Sequence, residues 1–219
     1  MSVEHLLSTV AKQPYLAVPK AEYPRERITR VTGGFAGETP DAWLVSCRHH
    51  LNPPATEEQI MRAESALGFG LISPLRNLLR QANGADLYIV TVTWMQPSFP
   101  AEERVRYHLL NTEEIVEINA DCLQSFRTLA SSDPKYENVS SLNYVAFCDA
   151  HDGNYLALLR NGSGSGRVFL LDKENVGYPY SESTSDLYLT VAISLEDWLA
   201  LVMKSQGWRG FGEGRQPPI

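Results

Sequence analysis

The chain is poor in cysteine and has no long apolar run. Its 219 residues include three cysteines, and none form a Cys-x-x-Cys pair, which argues against a disulfide framework and against a thiolate zinc site. No stretch approaches the roughly 20 consecutive apolar residues of a membrane span. The N-terminus carries Glu4 where a secretory signal would carry basic charge. We therefore expect a cytoplasmic protein that has no membrane partner.

Positive charge is also scarce. The chain has 19 Lys and Arg against 26 Asp and Glu, which gives a formal net charge of -7. A nucleic-acid-binding protein needs a basic face to contact phosphates, so no nucleic-acid partner is predicted. An acidic surface suits a basic protein partner better, because opposite charges steer the encounter.

The hydrophobic pattern alternates between the helical period and the strand period along the chain. Its order of helices, strands, helix, strands and helix predicts an α+β fold. We expect an antiparallel-dominated mixed sheet of five or six strands flanked by helices. Strands are predicted at 87–94, 105–110, 144–148, 155–160, 168–171 and 187–193.

Capping residues set the predicted helix ends. Thr56 begins the first of two consecutive helices with the spacing of a capping box. Ser73 is the predicted N-cap of the second helix, and Asn83-Gly84 closes it with a left-handed cap. Thr112 and Ser194 are the predicted caps of two later helices.

The chain divides into three predicted parts. Residues 1–51 form an N-terminal extension packed on the core, with strand candidates at 28–32 and 43–47. Residues 52–206 form one α+β domain. Residues 207–219 are predicted to be a flexible tail.

Two segments resemble the two ends of the SUKH superfamily, which includes the Smi/Knr cell-wall regulators of fungi and many bacterial immunity proteins. They are LNPPATEEQIMRAESALGFGLISPLRNLLRQANGAD and VAISLEDWLALVM. The first combines a Pro-Pro entry, a Glu-rich helix, a Leu-Gly break, a Pro-started helix and a closing Asn-Gly, although its Pro stands two residues later than in the family pattern. The resemblance implies a SUKH-like sheet that serves as a protein-binding platform, with no cofactor and no catalytic residue.

One cluster suggests catalysis. Cys148, Asp149, His151 and Asp152 place a thiol, an imidazole and two carboxylates within five residues. A small cysteine hydrolase is therefore an alternative function, but it needs Cys148 and His151 to meet in an open cleft. The same turn would need a further ligand from elsewhere to hold a cation. We expect a solvated turn and no catalytic, cofactor-binding or metal-binding residue.

Tyrosines among carboxylates suit recognition of a basic protein face, because aromatic side chains anchor such contacts and carboxylates steer them. The predicted partner-binding residues are Asp149, His151, Asp152, Glu174, Tyr178, Tyr180, Glu182 and Asp186. We predict a non-enzymatic protein-binding module, an immunity-type protein that neutralises a basic toxin domain by direct contact. A regulatory scaffold of the Smi/Knr type is the first alternative.

Two further groups are interpreted as structural. Trp198 shares a helical face with Leu195, Leu199 and Val202, so we expect it to anchor the last helix in the core. His49 and His50 are adjacent on a predicted strand and point to opposite sides, which favours a surface histidine pair over a metal site.

Overall fold

A computed structural model describes residues 3–12, 43–94, 102–132, 144–150, 154–161, 165–171 and 189–204 of the chain. The helices in these residues are α1 (Val3–Lys12), α2 (Glu57–Leu67), α3 (Ser73–Gln81), α4 (Thr112–Ser132) and α5 (Leu195–Lys204). The strands are β1 (Trp43–Leu51), β2 (Ala85–Trp94), β3 (Glu102–Leu109), β4 (Tyr144–Asp149), β5 (Tyr155–Leu159), β6 (Val168–Leu171) and β7 (Leu189–Ala192). Among these residues, no helix combines the length and the apolar character needed to cross a membrane.

The strands form one sheet in chain order from β1 to β7, and each described pairing is antiparallel. The predicted α+β class is confirmed. Within the described residues the sheet has seven strands instead of five or six, because Trp43–Leu51, which we assigned to the N-terminal extension, pairs with β2. The expectation of a mixed sheet is not met in the described pairings. The strand candidate at 28–32 and the predicted tail at 207–219 lie outside the described residues.

The N-terminal helix packs on the same core as the sheet. Val3 and Leu7 of α1 are buried in the main hydrophobic cluster, and α1 contacts α3, α5 and β1. The domain boundary at residue 51 stays a prediction.

Two of the predicted helix starts are correct, and two are one residue late. Thr56 forms the capping box with Gln59, and Ser194 Oγ accepts from Asp197 N at 3.0 Å. The second helix already includes Ser73, because its N-cap is Ile72, which makes no side-chain capping bond. The N-cap of α4 is Asn111, whose Oδ1 accepts from the backbone N–H groups of residues 113 and 114.

The Asn83-Gly84 pair does not form the left-handed cap that we predicted for α3. The helix is capped by Ala82 in an extended conformation. Gly84 does have a φ of 88°, but a Cβ there would lie 3.0 Å from Leu109 O and 3.1 Å from Asn111 N. Glycine is therefore needed at this position both for its backbone conformation and for the close approach of the chain after β3.

One face of the sheet carries the main apolar core. Trp198 of α5 is fully buried there, which confirms its predicted role as the anchor of the last helix. Its ring meets Tyr107 and Phe147 edge to face, at centroid distances of 5.5 and 5.3 Å. Tyr107 in turn meets Tyr88 at 6.4 Å. This aromatic chain joins β2, β3 and β4 to α5.

The other face is covered by α4 over a smaller cluster that includes Tyr144, Ala146 and Phe169. Asn119 of α4 is buried and binds the peptide groups of Ala146: its Oδ1 accepts from Ala146 N at 2.9 Å, and its Nδ2 donates to Ala146 O at 3.1 Å. Only two residue pairs join β3 to β4 in the described register. Asn119 thus supplies bonds to β4 at a place where the described pairing with β3 has ended.

Candidate functional site: an acidic row across the strand ends

Four polar side chains occupy neighbouring positions on consecutive strands at one end of the sheet. The register places Asp86 opposite His108, His108 opposite Asp149, and Asp149 opposite Tyr155. Residues directly opposite in an antiparallel pair project from the same face of the sheet. All four are partly exposed. We call Asp86, His108, Asp149 and Tyr155 the acidic row.

Helix α4 adds two more carboxylates to this region. Glu114, in its first turn, contacts His108 directly. Asp121, two turns further on, lies close enough to act on Tyr155. Burial is the largest cause that raises the pKa of Tyr155, and Asp149, Cys122 and Asp121 raise it further. Carboxylates from β2, β4 and α4 therefore converge around one histidine and one tyrosine.

His108 is held between two of these carboxylates. Its Nδ1 lies 2.7 Å from Asp86 Oδ1, and its Nε2 lies 3.1 Å from Glu114 Oε1. Burial lowers the pKa of His108, but the hydrogen bonds to Asp86 and Glu114 and their negative charges outweigh burial, so the pKa is raised. About a third of each of the three side chains is exposed. The cluster is thus accessible to a partner from solvent.

Two asparagines fix the positions of Asp86 and Glu114. Asn83, three residues before Asp86, donates its N–H to Pro53 O at 3.0 Å, and its Oδ1 accepts from Thr112 N at 2.9 Å. Asn111 donates its N–H to Glu114 Oε2 at 2.8 Å. The entry to α2, the start of β2 and the start of α4 are tied together at this point. The Asn-Gly pair of the sequence resemblance therefore has a structural role beside the acidic row.

Of the eight predicted partner-binding residues, the structure describes Asp149, which lies in the acidic row. The chain reverses next to it, where Ala150 N donates to Asn154 O at 2.8 Å. The other seven predicted residues lie outside the described residues, and for them the interface stays a prediction. They are His151, Asp152, Glu174, Tyr178, Tyr180, Glu182 and Asp186.

The sequence interpretation missed Asp86, His108, Glu114, Asp121 and Tyr155. Glu114 had a signal, because Asn111 and Glu114 have the spacing of a capping box just before an apolar helical stripe. Asp86, His108 and Tyr155 had none, because a row across strands depends on strand register, which the sequence pattern does not specify to the residue. Asp121 had none, because its place beside the row depends on how α4 packs on the sheet.

Cys148 is fully buried in the main core. Its Sγ donates to Asp149 O at 3.5 Å. Burial, and then the charge of Asp149, raise the pKa of this thiol well above its ordinary value. The thiolate is the nucleophilic form of cysteine. A hydrolase built on Cys148 would therefore lack the open, ionised nucleophile that the alternative requires.

His49 and His50 differ in exposure, so the predicted surface pair is wrong for His49. His50 is exposed opposite Asp86 on β2, whereas His49 is partly buried. Its Nδ1 accepts from Tyr88 N at 3.0 Å, and the two rings meet edge to face at 4.6 Å. Burial lowers the pKa of His49 to about 4. Within the described part of the chain, no group of three or more His, Cys, Asp or Glu is placed to hold a metal ion.

The seven-stranded antiparallel sheet and its helix-covered faces define an α+β protein with an acidic surface at one end. The sequence model of the SMI1 / KNR4 family (SUKH-1) matches residues 54–201. That match covers more than half of the chain, so this protein belongs to the SMI1 / KNR4 family, and the resemblance seen in the sequence is confirmed. A comparison with curated proteins found no match.

Proposed function

We propose that this protein is a non-enzymatic binding module, an immunity-type protein that neutralises a basic toxin domain in the cytoplasm by direct contact. The observation that carries the proposal is the acidic row with its flanking carboxylates. Separate elements of the fold bring Asp86, Glu114, Asp121 and Asp149 together at one end of the sheet. Membership of the SMI1 / KNR4 family supports a protein-binding role in general.

The composition of the surface fits a basic protein partner. Converging carboxylates attract Lys and Arg side chains and accelerate the encounter. Tyr155 adds an amphipathic ring of the kind that anchors protein interfaces. The predicted partner-binding residues His151 and Asp152 directly follow Asp149 and Ala150 in the chain.

Calorimetric titration against the protein encoded by the neighbouring gene tests the proposal. The test variant carries Asp121→Asn and Asp149→Asn. The matched control carries Glu4→Gln and Glu58→Gln, which remove the same charge from exposed positions on α1 and α2. We expect the test variant to lose about tenfold in affinity and the control to change less than about twofold, since charge pairs across an interface act mainly at close range.

The salt dependence gives a second criterion. Exposed charges are screened beyond about 8 Å at physiological ionic strength, so wild-type binding should weaken as salt rises, and the test variant should respond less. Equal losses in the two variants would place the interface elsewhere. Turnover of a substrate that disappears in Cys148→Ala would overturn the binding proposal itself.

A further inference from the structure

The contacts of the two ring nitrogens of His108 indicate its protonation state. Asp86 Oδ1 and Glu114 Oε1 lie at hydrogen-bonding distance from its two ring nitrogens, at 2.7 and 3.1 Å. Ionised carboxylate oxygens only accept hydrogen bonds, so both ring nitrogens must donate if both contacts are hydrogen bonds. A neutral imidazole has one N–H and an imidazolium has two. The observed arrangement therefore fits the cationic form.

Among the residues that the structure describes, the charged groups that face His108 from the elements packed against it are acids, and one strand further out the titratable His50 of β1 lies opposite Asp86. Asp86 faces it from β2, Glu114 from α4 and Asp149 from β4. The imidazolium thus acts as an internal counter-ion within the acidic row. Histidine is the side chain whose charge changes most readily near physiological pH.

We infer that His108 is a pH-sensitive latch, which ties Glu114 to Asp86 while it is protonated and frees Glu114 for a basic partner when it loses its proton. The inference rests on the proposed function. A neutral His108 can keep its shorter contact to Asp86 Oδ1, but Nε2 then carries no proton to donate to Glu114. The other oxygen of Glu114 still accepts from Asn111 N at 2.8 Å, so the carboxylate stays in position. As the pH rises, the acidic row loses the positive charge of His108, and Glu114 Oε1 becomes available as an acceptor.

The first experiment uses the protein alone. The ring nitrogens and carbons of the histidines are followed by NMR from pH 5 to pH 9, and His108 is assigned by the signal that is lost in His108→Gln. We expect both ring nitrogens of His108 to be protonated at pH 6. The titration midpoint of His108 should fall by about one pH unit in Glu114→Gln, because an opposite charge in contact favours the charged form. Glu117→Gln, which removes an exposed carboxylate one turn further along α4, should leave it unchanged.

A single neutral tautomer at pH 6, or a midpoint that is equal in wild type and Glu114→Gln, would overturn the latch. Neither result depends on a binding partner. The first experiment therefore decides the latch separately from the proposed function.

The second experiment measures regulation with a lysine-rich decapeptide as the basic probe. We expect wild type to bind it about threefold more tightly at pH 8.5 than at pH 6, which is the scale of one added charge near the surface. His108→Gln should lose this pH dependence, while His5→Gln, at an exposed position on α1, should keep it. Equal binding at both pH values would overturn the regulatory role. If the peptide bound at neither pH, the result would count against the proposed function. The Glu114→Gln titration alone would then decide the latch.

Discussion

The two faces of the sheet are held to their helices by different interactions. On one face, Trp198 and the aromatic side chains around it exclude water through apolar contact. On the other face, α4 covers a smaller apolar cluster and is also positioned by directed polar bonds, such as those of Asn119 to Ala146 and of Glu114 to His108. Apolar burial supplies most of the stability of a fold, whereas directed bonds fix geometry. We infer that the first face maintains the fold, whereas the second carries the surface that we propose for binding.

The largest effect is expected on the apolar face. Trp198→Ala removes a fully buried aromatic side chain and should lower the free energy of unfolding by about 3 to 5 kcal/mol. Ile193→Ala, at an exposed apolar residue just before α5, is the matched control and should change it little. Denaturant titration measures both. Similar unfolding midpoints for the two variants would contradict the anchoring role of Trp198.

The next effect is a dependence of stability on pH at the margin of the apolar face. His49 has a folded-state pKa of about 4 and an ordinary value of 6.5, so below pH 6.5 the unfolded chain binds a proton that the folded chain excludes. Stability is therefore lost as the pH falls from 6.5 towards 4, by roughly 2 kcal/mol at pH 5. His49→Gln should remove this part of the acid sensitivity, and His50→Gln should not. Unfolding curves at pH 7 and pH 5 check it, and parallel losses in wild type and His49→Gln would refute it.

On the face covered by α4, the loss of one polar side chain, Asn119, should have a measurable effect on stability. Asn119→Leu keeps a similar volume but leaves the N–H and C=O of Ala146 without these side-chain partners. We expect a loss of about 1 to 3 kcal/mol, the scale of a buried polar group whose partner is removed. Asn77→Leu, on the exposed side of α3, provides the control. If Asn119→Leu were as stable as wild type, apolar contact would be holding both faces.

The smallest predicted effect on stability is that of His108. Its dependence on pH has the opposite sign to that of His49. Its pKa is raised in the folded state, so its contribution is complete below pH 6.5 and is lost as the pH rises through the folded-state value. His108→Gln should therefore reduce stability at pH 6 by less than about 1 kcal/mol, since the cluster is a third exposed, and by less still at pH 9. Thermal unfolding at the two pH values measures the difference. A larger loss at pH 9 than at pH 6 would contradict the assignment.

The sequence was sufficient to predict what depends on local periodicity. Trp198 follows from its helical spacing, and the caps at Thr56 and Ser194 follow from local hydrogen-bonding chemistry. Each of these features is determined by residues three or four positions apart. Such features can be predicted without knowing which strands pair.

Strand alternation failed where the register shifts. Simple alternation would place Tyr144, Ala146 and Cys148 on one face, because alternate residues of a strand share a face. A shift in the β4–β5 pairing between Ala146 and Cys148 breaks the alternation. Tyr144 and Ala146 pack beneath α4, while Cys148 belongs to the main core.

An irregular strand pairing also explains why the prediction that His49 lies on the surface was wrong. Tyr88 has a φ of 55°, which is unusual for a residue other than glycine, and the β1–β2 register shifts beside it. The irregularity brings Tyr88 N to His49 Nδ1. The residues around His49 and Tyr88 are not of the types that favour a turn or a β-bulge, so the sequence contained no signal for this irregularity.

The short pairing between β3 and β4 has a consequence for how a bound partner would alter the motions of the protein. Asp86 and His108 stand on one side of this junction, and Asp149 and Tyr155 stand on the other. A partner that grips the whole acidic row would bridge the junction and oppose its local opening. Amide hydrogens at the junction, such as those of Leu110 and Ala146, would then exchange with solvent more slowly in the complex, even though a partner on the row need not touch them.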